Sequence, residues 1–396
     1  MAEVAGIICE YDPFHRGHGR QLALIRERLP HAAIVCVMSG CFTQRGAPAL
    51  YAPGFRARAA LDAGADLVLE LPALFAMRDA EHFALGGVSV LHRLGFVTHI
   101  SFGCENADLS LLRAAAIRLN QPDEAFTFAL KNGLRQGLPF AAAQGQALAQ
   151  ALAGKGGSPG AEAVAALLEK PNNILAICYL RALARLESRV QPLPVLREGS
   201  YHGSTLDAPG YPSATAVRAA LLRGERREAE EACGYTLPPE PLCLPTALDG
   251  VLLARLRQMS KEELAQLPYC SEGLENRLYR ACREAVTRQG LLEALKSKRY
   301  TRARLSRMLC HALLGVTGKR LAATPEPPYA RLLGFRKSGE ALLGGLRESG
   351  IPIVAKAADG PLGDPAYSLD MAGYDLWALG AGVPAGLMLR QLVEIR

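Results

Sequence analysis

Short apolar segments alternate with helix-like segments over the first hundred residues. Residues 4–9, 33–38, 65–69 and 99–102 have the length and composition of buried strands. Between them, residues 17–28, 53–63 and 79–94 show a helical pattern, with Gly64 and Gly95 where helices commonly end. Strands that alternate with helices predict a doubly wound parallel α/β sheet, which binds ligands beyond the carboxyl ends of its strands.

The remainder of the chain is mainly helical. Residues 107–190 predict a helical insertion with a flexible loop at 154–160, and a further strand is expected at 194–196. A helix should begin near Ser213, whose hydroxyl can cap it. The proline-rich residues 238–241 predict a linker. We therefore expect an α/β domain over residues 1–235 and a mainly helical domain over 236–396, with a short strand near 351–354.

Composition narrows the function classes. The 396 residues are 49% hydrophobic and 21% charged, and they contain no apolar run long enough for a membrane span. The amino terminus lacks the basic segment of a signal peptide, so we expect a cytoplasmic protein. Ten cysteines without a Cys-x-x-Cys pair argue against a zinc site and against a disulfide framework, and no metal site is predicted.

Positive charge is concentrated in the second half. The net charge is +7, and residues 277–331 hold thirteen Lys or Arg against three Glu and no Asp. Such an excess suits a polyanion, most simply a nucleic-acid backbone. A solvated helix face in a basic protein is the alternative.

The motif His15-Arg16-Gly17-His18 follows the first strand directly. In this position two imidazoles can reach phosphate groups, and Gly17 has no side chain to hold a nucleotide away from the backbone. The unpaired N–H groups at a helix start also favour an anion. The alternative is a pair of surface histidines in a polar turn.

Other segments are expected on the same rim. Arg45 follows the second strand, and Gly103 ends the fourth. Ser213, Thr215 and Arg218 open a late helix and offer hydroxyl, N–H and guanidinium groups. Because nucleotidyl transfer needs positive groups on both sides of a phosphate chain, we predict that this helix start converges with the two histidines.

Over essentially its whole length the chain resembles the tRNA(Met) cytidine acetate ligase family of HIGH-type nucleotidyltransferases, whose fold is Rossmann-like. The matching segments are 6–15, 38–40, 42–46, 102–103, 170–175, Arg197 with Tyr201-His202, 271–276 and 300–305. Two departures are Cys41, where the family usually has Asn, and Cys104, where it usually has Ser.

The resemblance implies an ATP-dependent ligase that forms N4-acetylcytidine at the wobble position of elongator tRNA(Met), through an acetyl-adenylate and with release of pyrophosphate. ATP with accompanying Mg²⁺, acetate and tRNA are the implied partners, without a membrane or a protein partner. His15 and His18 are the predicted catalytic residues. The predicted ATP-binding residues are Gly6, Gly17, His18, Gly103, Asn172, Asn173, Arg197, Ser213, Thr215 and Arg218. The sequence does not decide between Asn172 and Asn173.

With this resemblance, the basic segment is predicted to bind tRNA. The candidates for phosphate contacts are Lys296, Lys298, Arg299, Arg302, Arg304 and Arg307. Arg304 and Arg307 can share one face of a helix. Two other functions remain open: a nucleotidyltransferase that acts on a small phosphorylated metabolite, and a non-catalytic tRNA-binding protein.

Overall fold

The chain builds one eight-stranded sheet. The computed structural model describes residues 3–138, 140–153, 164, 166–197, 206, 211–237, 239, 241–297 and 299–396. The strand order is β5-β4-β1-β2-β3-β6-β7, and β8 pairs with β6. The strands are β1 Val4–Cys9, β2 Ala33–Ser39, β3 Leu67–Leu71, β4 His99–Cys104, β5 Gln191–Leu196, β6 Ala330–Phe335, β7 Ile353–Val354 and β8 Glu394–Ile395.

The mostly parallel sheet confirms the predicted fold class. Strands β1 to β5 pair in parallel, whereas β6 is antiparallel to β3. β3 begins at Leu67, two residues later than predicted, because Asp66 is used as a turn residue. Its carboxylate accepts hydrogen bonds from the Ile34 N–H at 2.8 Å and from Arg26 at 2.6 Å. The sheet also runs across the domain boundary predicted at residue 235, since β6, β7 and β8 belong to it.

Helices cover both faces of the sheet. On one face, Leu22 and Ile25 pack with Ala57 against β1 and β2. On the other face, Phe83 and Leu91 belong to the larger core. The helices are α1 Arg16–Arg28, α2 Pro53–Asp62, α3 Ala73–Ala76, α4 Ala80–Arg93, α5 Leu109–Asn120, α6 Glu124–Arg135, α7 Phe140–Ala153, α8 Pro171–Arg185, α9 Ala214–Leu222, α10 Arg226–Cys233, α11 Asp249–Gln258, α12 Lys261–Ala265, α13 Leu274–Glu284, α14 Arg288–Leu295, α15 Arg302–Leu314, α16 Gly318–Ala322, α17 Leu342–Arg347, α18 Pro365–Gly380 and α19 Leu387–Arg390.

A buried polar cluster joins the late strands to the first part of the chain. Arg331 of β6 and Glu70 of β3 form an ion pair at 2.6 Å, and each side chain is only 4% exposed. Tyr374 of α18 hydrogen-bonds both side chains. Nearby, the Asp370 carboxylate accepts from the Ala73 N–H at 2.8 Å. Because unpaired charges are costly to bury, this cluster fixes α18 and β6 against β3.

Helix α15 packs directly on the loop that follows β2. The Ser306 hydroxyl donates a hydrogen bond to the Arg45 carbonyl at 2.7 Å. Gly46 has a φ of +72°, and a Cβ there would lie 2.5 Å from the Arg307 nitrogen. The loop and the helix can therefore approach this closely only because residue 46 is glycine. Within the described residues, no helix combines the length and the apolar character that a membrane crossing requires.

Candidate active site

The histidine motif forms the first turn of α1. His15 is the N-cap, and its Nδ1 accepts a hydrogen bond from the Gly17 N–H at 3.1 Å. In return, Nδ1 of His18 accepts from the His15 N–H at 3.3 Å. The two rings stack with centroids 3.7 Å apart. The motif is thus a capping box in which imidazoles replace the usual hydroxyl and carboxylate.

This geometry fixes what the imidazoles can offer to a ligand. Burial, together with Arg197 and Arg218, lowers the pKa of His15 to about 3. Burial, with His15 and Arg197, also lowers the pKa of His18 well below its ordinary value. Both rings are therefore neutral near pH 7. Because each Nδ1 is an acceptor, the single ring proton lies on Nε2, so each ring offers a neutral N–H donor.

The start of α9 supplies the second group of candidates. The Ser213 hydroxyl caps the helix by accepting from the Ala216 N–H at 3.1 Å, as predicted. The Thr215 hydroxyl accepts from both Arg45 and Arg218, each at 3.3 Å. Arg218 also donates to the Asp12 carbonyl, and it lies 3.4 Å from the Asp12 carboxylate. The turn after β1 therefore holds the tip of α9 in place.

One pocket at the carboxyl ends of the strands joins the two groups. It is lined by these predicted residues: His15, His18, Gly103, Asn172, Arg197, Ser213, Thr215 and Arg218. The histidine motif and the start of α9, about 200 residues apart in the sequence, thus line the same pocket. The pocket has positively charged or N–H-bearing groups on both sides, which is the arrangement that a chain of phosphates requires.

The two asparagines occupy different environments. Asn172 lines the pocket, and its amide nitrogen donates to the Glu105 carboxylate at 2.7 Å. The Asn173 side chain instead accepts from the N–H groups of Glu105 and Asn106 at 2.9 and 3.0 Å. Glu105 in turn accepts from the Asn173 N–H at 2.9 Å. Asn173 therefore ties the loop after β4 to the start of α8, while Asn172 faces the pocket.

At three of the glycines predicted to bind ATP, the missing side chain leaves space that other side chains of the protein occupy. A Cβ on Gly6 would lie 2.6 Å from the Leu91 side chain, so this residue allows α4 to pack on β1. Gly17 makes room for the His15 ring, which would lie 3.0 Å from a Cβ. Above Gly103 lies the Arg197 side chain, also at 3.0 Å. Gly103 thereby lets Arg197 cross β4 towards the histidines.

Sequence reasoning did not assign several other lining residues. For Glu10, beside the histidine motif, the sequence allows a turn or capping role as readily as a catalytic one; it lines the pocket, and its Oε1 accepts from the Gln44 N–H at 2.6 Å. An apolar wall is formed by Ile8, Phe83, Phe102, Leu175 and Tyr179. These residues carry no local motif, because they are brought together only when α4 and α8 pack against β1 and β4. Among the described residues, no group of three His, Cys, Asp or Glu side chains could hold a metal ion.

The departures at Cys41 and Cys104 are both in the core. Each side chain is buried, and neither lines the pocket. Burial raises the pKa of Cys41 well above its ordinary value and that of Cys104 to about 11. Both thiols are thus protonated near pH 7 and act as small apolar side chains.

The predicted tRNA-binding residues divide into two groups. Lys296, Arg299 and Arg302 are exposed, and Arg299 pairs with Glu272 on the surface at 2.6 Å. Arg304 instead donates to the Tyr269 carbonyl at 3.0 Å and to the Ser271 hydroxyl at 2.7 Å.

Arg307 lies partly buried over the Tyr269 ring, with its guanidinium 5.6 Å from the ring centroid. Arg304 and Arg307 thus share a helix face, as predicted, but that face packs on the 269–271 loop. The predicted loop at 154–160, the pair Tyr201-His202 and Lys298 lie outside the described residues.

Comparisons with known proteins show which family the chain belongs to. A family profile described as HIGH Nucleotidyl Transferase matches residues 2–382. The chain is 35% identical over 374 residues to a tRNA(Met) cytidine acetate ligase of Acetivibrio thermocellus, covering 90% of this chain and 89% of that relative. The chain belongs to the tRNA(Met) cytidine acetate ligase family. A ligase of the same name from Clostridium perfringens is 36% identical over 362 residues, covering 89% of each chain.

Solved structures show the same architecture over the whole length. Thermotoga maritima TmcAL without ligand matches with a TM-score of 0.88 and 29% identity, covering 100% of both chains. The same protein bound with α-thio ATP matches with a TM-score of 0.86 and 27% identity, again covering 100% of both chains. The fold and the family expected from the sequence are therefore confirmed.

Proposed function

We propose that the protein is an ATP-dependent ligase that joins acetate to N4 of the wobble cytidine of elongator tRNA(Met). The observation that carries this proposal is the pocket shared by His15 and His18 with the tip of α9. Membership of the family and the names of its relatives supply the substrates. The nucleotide, the acid and the RNA would all meet at this pocket.

ATP would lie with its phosphates between the imidazoles and α9. The Nε2–H groups of His15 and His18 would donate from one side, and Arg218 would approach from the other. Thr215 and Asp12 hold Arg218, so its position is set before the nucleotide arrives. Such preorganised donors are effective because no reorganisation is needed as charge develops in the transition state.

The nucleoside would lie towards β4 and α8. Arg197, which crosses Gly103, would contact ribose or phosphate oxygens, and Asn172 would donate or accept one hydrogen bond. Asn173 would act indirectly by holding the loop that positions Asn172. Of the two asparagines, Asn172 would contact the nucleotide, because the Asn173 side-chain oxygen already accepts two hydrogen bonds.

The first chemical step would activate acetate. A carboxylate oxygen attacks the α-phosphorus of ATP, the bond to pyrophosphate breaks, and acetyl-adenylate remains in the pocket. The residues described would bind and orient the reactants without a covalent enzyme intermediate. Mg²⁺ would arrive with ATP as part of the substrate and would neutralise phosphate charge; both oxygens of Asp12 and one oxygen of Glu10 already accept hydrogen bonds from the protein.

The tRNA would bind beside this pocket on the exposed part of the basic segment. Lys296, Arg299 and Arg302 are accessible to phosphates, and Arg302 begins α15. Because α15 packs on the loop that carries Arg45, this surface would be adjacent to the site of adenylate formation. Arg304 would support the surface through its bonds to the 269–271 loop.

A three-component assay tests the proposal. Purified protein is incubated with ATP, labelled acetate and tRNA, and acid-stable label in RNA is measured. We expect label only in the presence of tRNA and ATP, and loss of label in His18→Ala but not in the exposed control His31→Ala. Pyrophosphate release with a small phosphorylated metabolite in place of tRNA would instead favour the metabolite nucleotidyltransferase. Tight tRNA binding without either reaction would leave a binding protein.

A further inference from the structure

We propose that Glu10 accepts the proton that cytidine N4 loses when it attacks the acetyl group. This inference rests on the proposed function and adds the residue that serves its second step. Attack by an amine on an acyl-adenylate leaves an acidic N–H on the new bond, so a nearby proton acceptor assists product formation.

The other candidate bases of the pocket are unavailable. The Nδ1 atoms of His15 and His18 accept backbone hydrogen bonds, which leaves only the protonated Nε2 atoms facing outwards. Of the two oxygens of Asp12, one accepts from the Leu50 N–H at 2.7 Å, and the other lies 3.4 Å from Arg218. The buried Cys9 thiol has a pKa well above its ordinary value and is protonated.

Glu10 differs from these groups because only one of its oxygens is used. Oε1 accepts from the Gln44 N–H at 2.6 Å, and Oε2 makes no hydrogen bond to any residue in the described ranges. The backbone is also fixed, because the Arg56 guanidinium donates to the Glu10 carbonyl at 2.5 Å. Glu10 thus lines the pocket with one carboxylate oxygen that accepts no hydrogen bond from the described residues, on a backbone that Arg56 holds.

The surroundings of Glu10 increase the basicity of its carboxylate. Burial is the largest effect and raises its pKa from the ordinary value. The charged groups that face it are Arg45 from the loop after β2, Asp12 from the turn after β1 and Arg218 from α9. The arginines favour the carboxylate form and Asp12 opposes it. A carboxylate with a raised pKa is a stronger base than a solvated one.

The same oxygen would also distinguish cytidine from uridine. Cytosine presents an N4 amine, which donates to a carboxylate, whereas uracil presents an oxygen at this position, which repels it. In the transfer step, N4 forms a bond to the acetyl carbon and the bond from that carbon to the phosphate oxygen breaks. AMP leaves with the electron pair, and the N4 proton passes to Oε2 of Glu10 and then to water.

The test separates the two half-reactions in Glu10→Gln. Glutamine retains an acceptor for the Gln44 N–H but cannot take up a proton. We expect acetate-dependent exchange of pyrophosphate into ATP to stay within about twofold of wild type. Single-turnover transfer from acetyl-adenylate to tRNA should fall by about 10²- to 10⁴-fold. Glu27→Gln, which changes an exposed glutamate on the far part of α1, is the matched control.

A pH profile and a second variant make the test decisive. Wild-type transfer should fall as the pH decreases through the pKa of Glu10, whereas the residual transfer of Glu10→Gln should not depend on pH in that range. Glu10→Asp, which keeps a carboxylate, should retain the pH-dependent decrease at a reduced rate. Normal transfer by Glu10→Gln, or an equal loss of exchange and transfer, would overturn the inference. Failure of the wild type to transfer acetyl at all would instead refute the proposed function.

Discussion

The close packing of Gly46 against α15 predicts how strongly an alanine at this position would destabilise the protein. Gly46→Ala adds one methyl group at a φ of +72°, where the new Cβ would lie 2.5 Å from the Arg307 nitrogen and 2.6 Å from the carbonyl carbon of Ser306. These neighbours are backbone atoms of a helix and cannot rotate away. The variant must therefore displace either α15 or the loop that carries Arg45.

Two effects should lower the free energy of unfolding of Gly46→Ala. An alanine in the left-handed region costs about 1–2 kcal/mol. Forcing an extra methyl group into a packed contact adds about 1–3 kcal/mol. The sum is about 2–5 kcal/mol of unfolding free energy. Gly382 is a matched control, because its φ is +70° and nothing lies within 4 Å of a Cβ there, so Gly382→Ala should show only the first term.

Urea denaturation of wild type and both variants measures the difference. We expect Gly46→Ala to be less stable than Gly382→Ala by about 1–3 kcal/mol. Its acetate-dependent pyrophosphate exchange should also decrease, because Arg45 shares Thr215 with Arg218. Equal stabilities for the two alanine variants would refute the claim that α15 rests rigidly on this loop.

Three further predictions follow from individual hydrogen bonds and charges. Asn172→Ala should raise the KM for ATP in the exchange assay about tenfold, whereas Asn173→Ala should mainly lower the urea midpoint, because it leaves two backbone N–H groups unpaired; the reverse pattern would contradict the assignment. Burial raises the pKa of Asp370 to about 7, so the folded state binds this proton more tightly than the unfolded state and loses stability as the pH rises from about 4 to 7. The stability of Asp370→Asn should therefore increase by roughly 2–4 kcal/mol relative to wild type over that range. A difference in stability between the two proteins that does not change with pH would exclude this titration. Arg302→Glu should weaken tRNA binding in filter-binding assays and reduce the salt dependence of the affinity. Arg304→Met should lower the stability of the protein more than its affinity for tRNA. Equal losses of affinity in the two variants would show that both arginines contact RNA.

Much of the site could be inferred from the sequence because its residues stand at the ends of recognisable strands. His15 and His18 follow β1 directly, and Ser213 is a typical N-cap, so their meeting at one edge follows from a parallel sheet. The choice between Asn172 and Asn173 could not be made in this way. The two residues are adjacent at a helix start, and their roles depend on the partners of Glu105 in a distant loop.

Other features depend on packing that has no local signal. The exposed set of basic residues could not be distinguished from Arg304, because only the position of the Tyr269 carbonyl decides which guanidinium is occupied. The sequence also did not indicate that β6 joins the sheet. It lies far from β3 in sequence and pairs antiparallel to it, and the buried pair of Glu70 and Arg331 that fixes it looks like two ordinary charged residues in the sequence.

The most direct test of the account is a crystal structure of this protein with a non-hydrolysable ATP analogue. We predict phosphate oxygens of a single nucleotide within hydrogen-bonding distance of both His18 Nε2 and the Arg218 guanidinium. A nucleotide whose phosphates contact one of these groups while the other stays paired only with protein atoms would contradict the shared phosphate site.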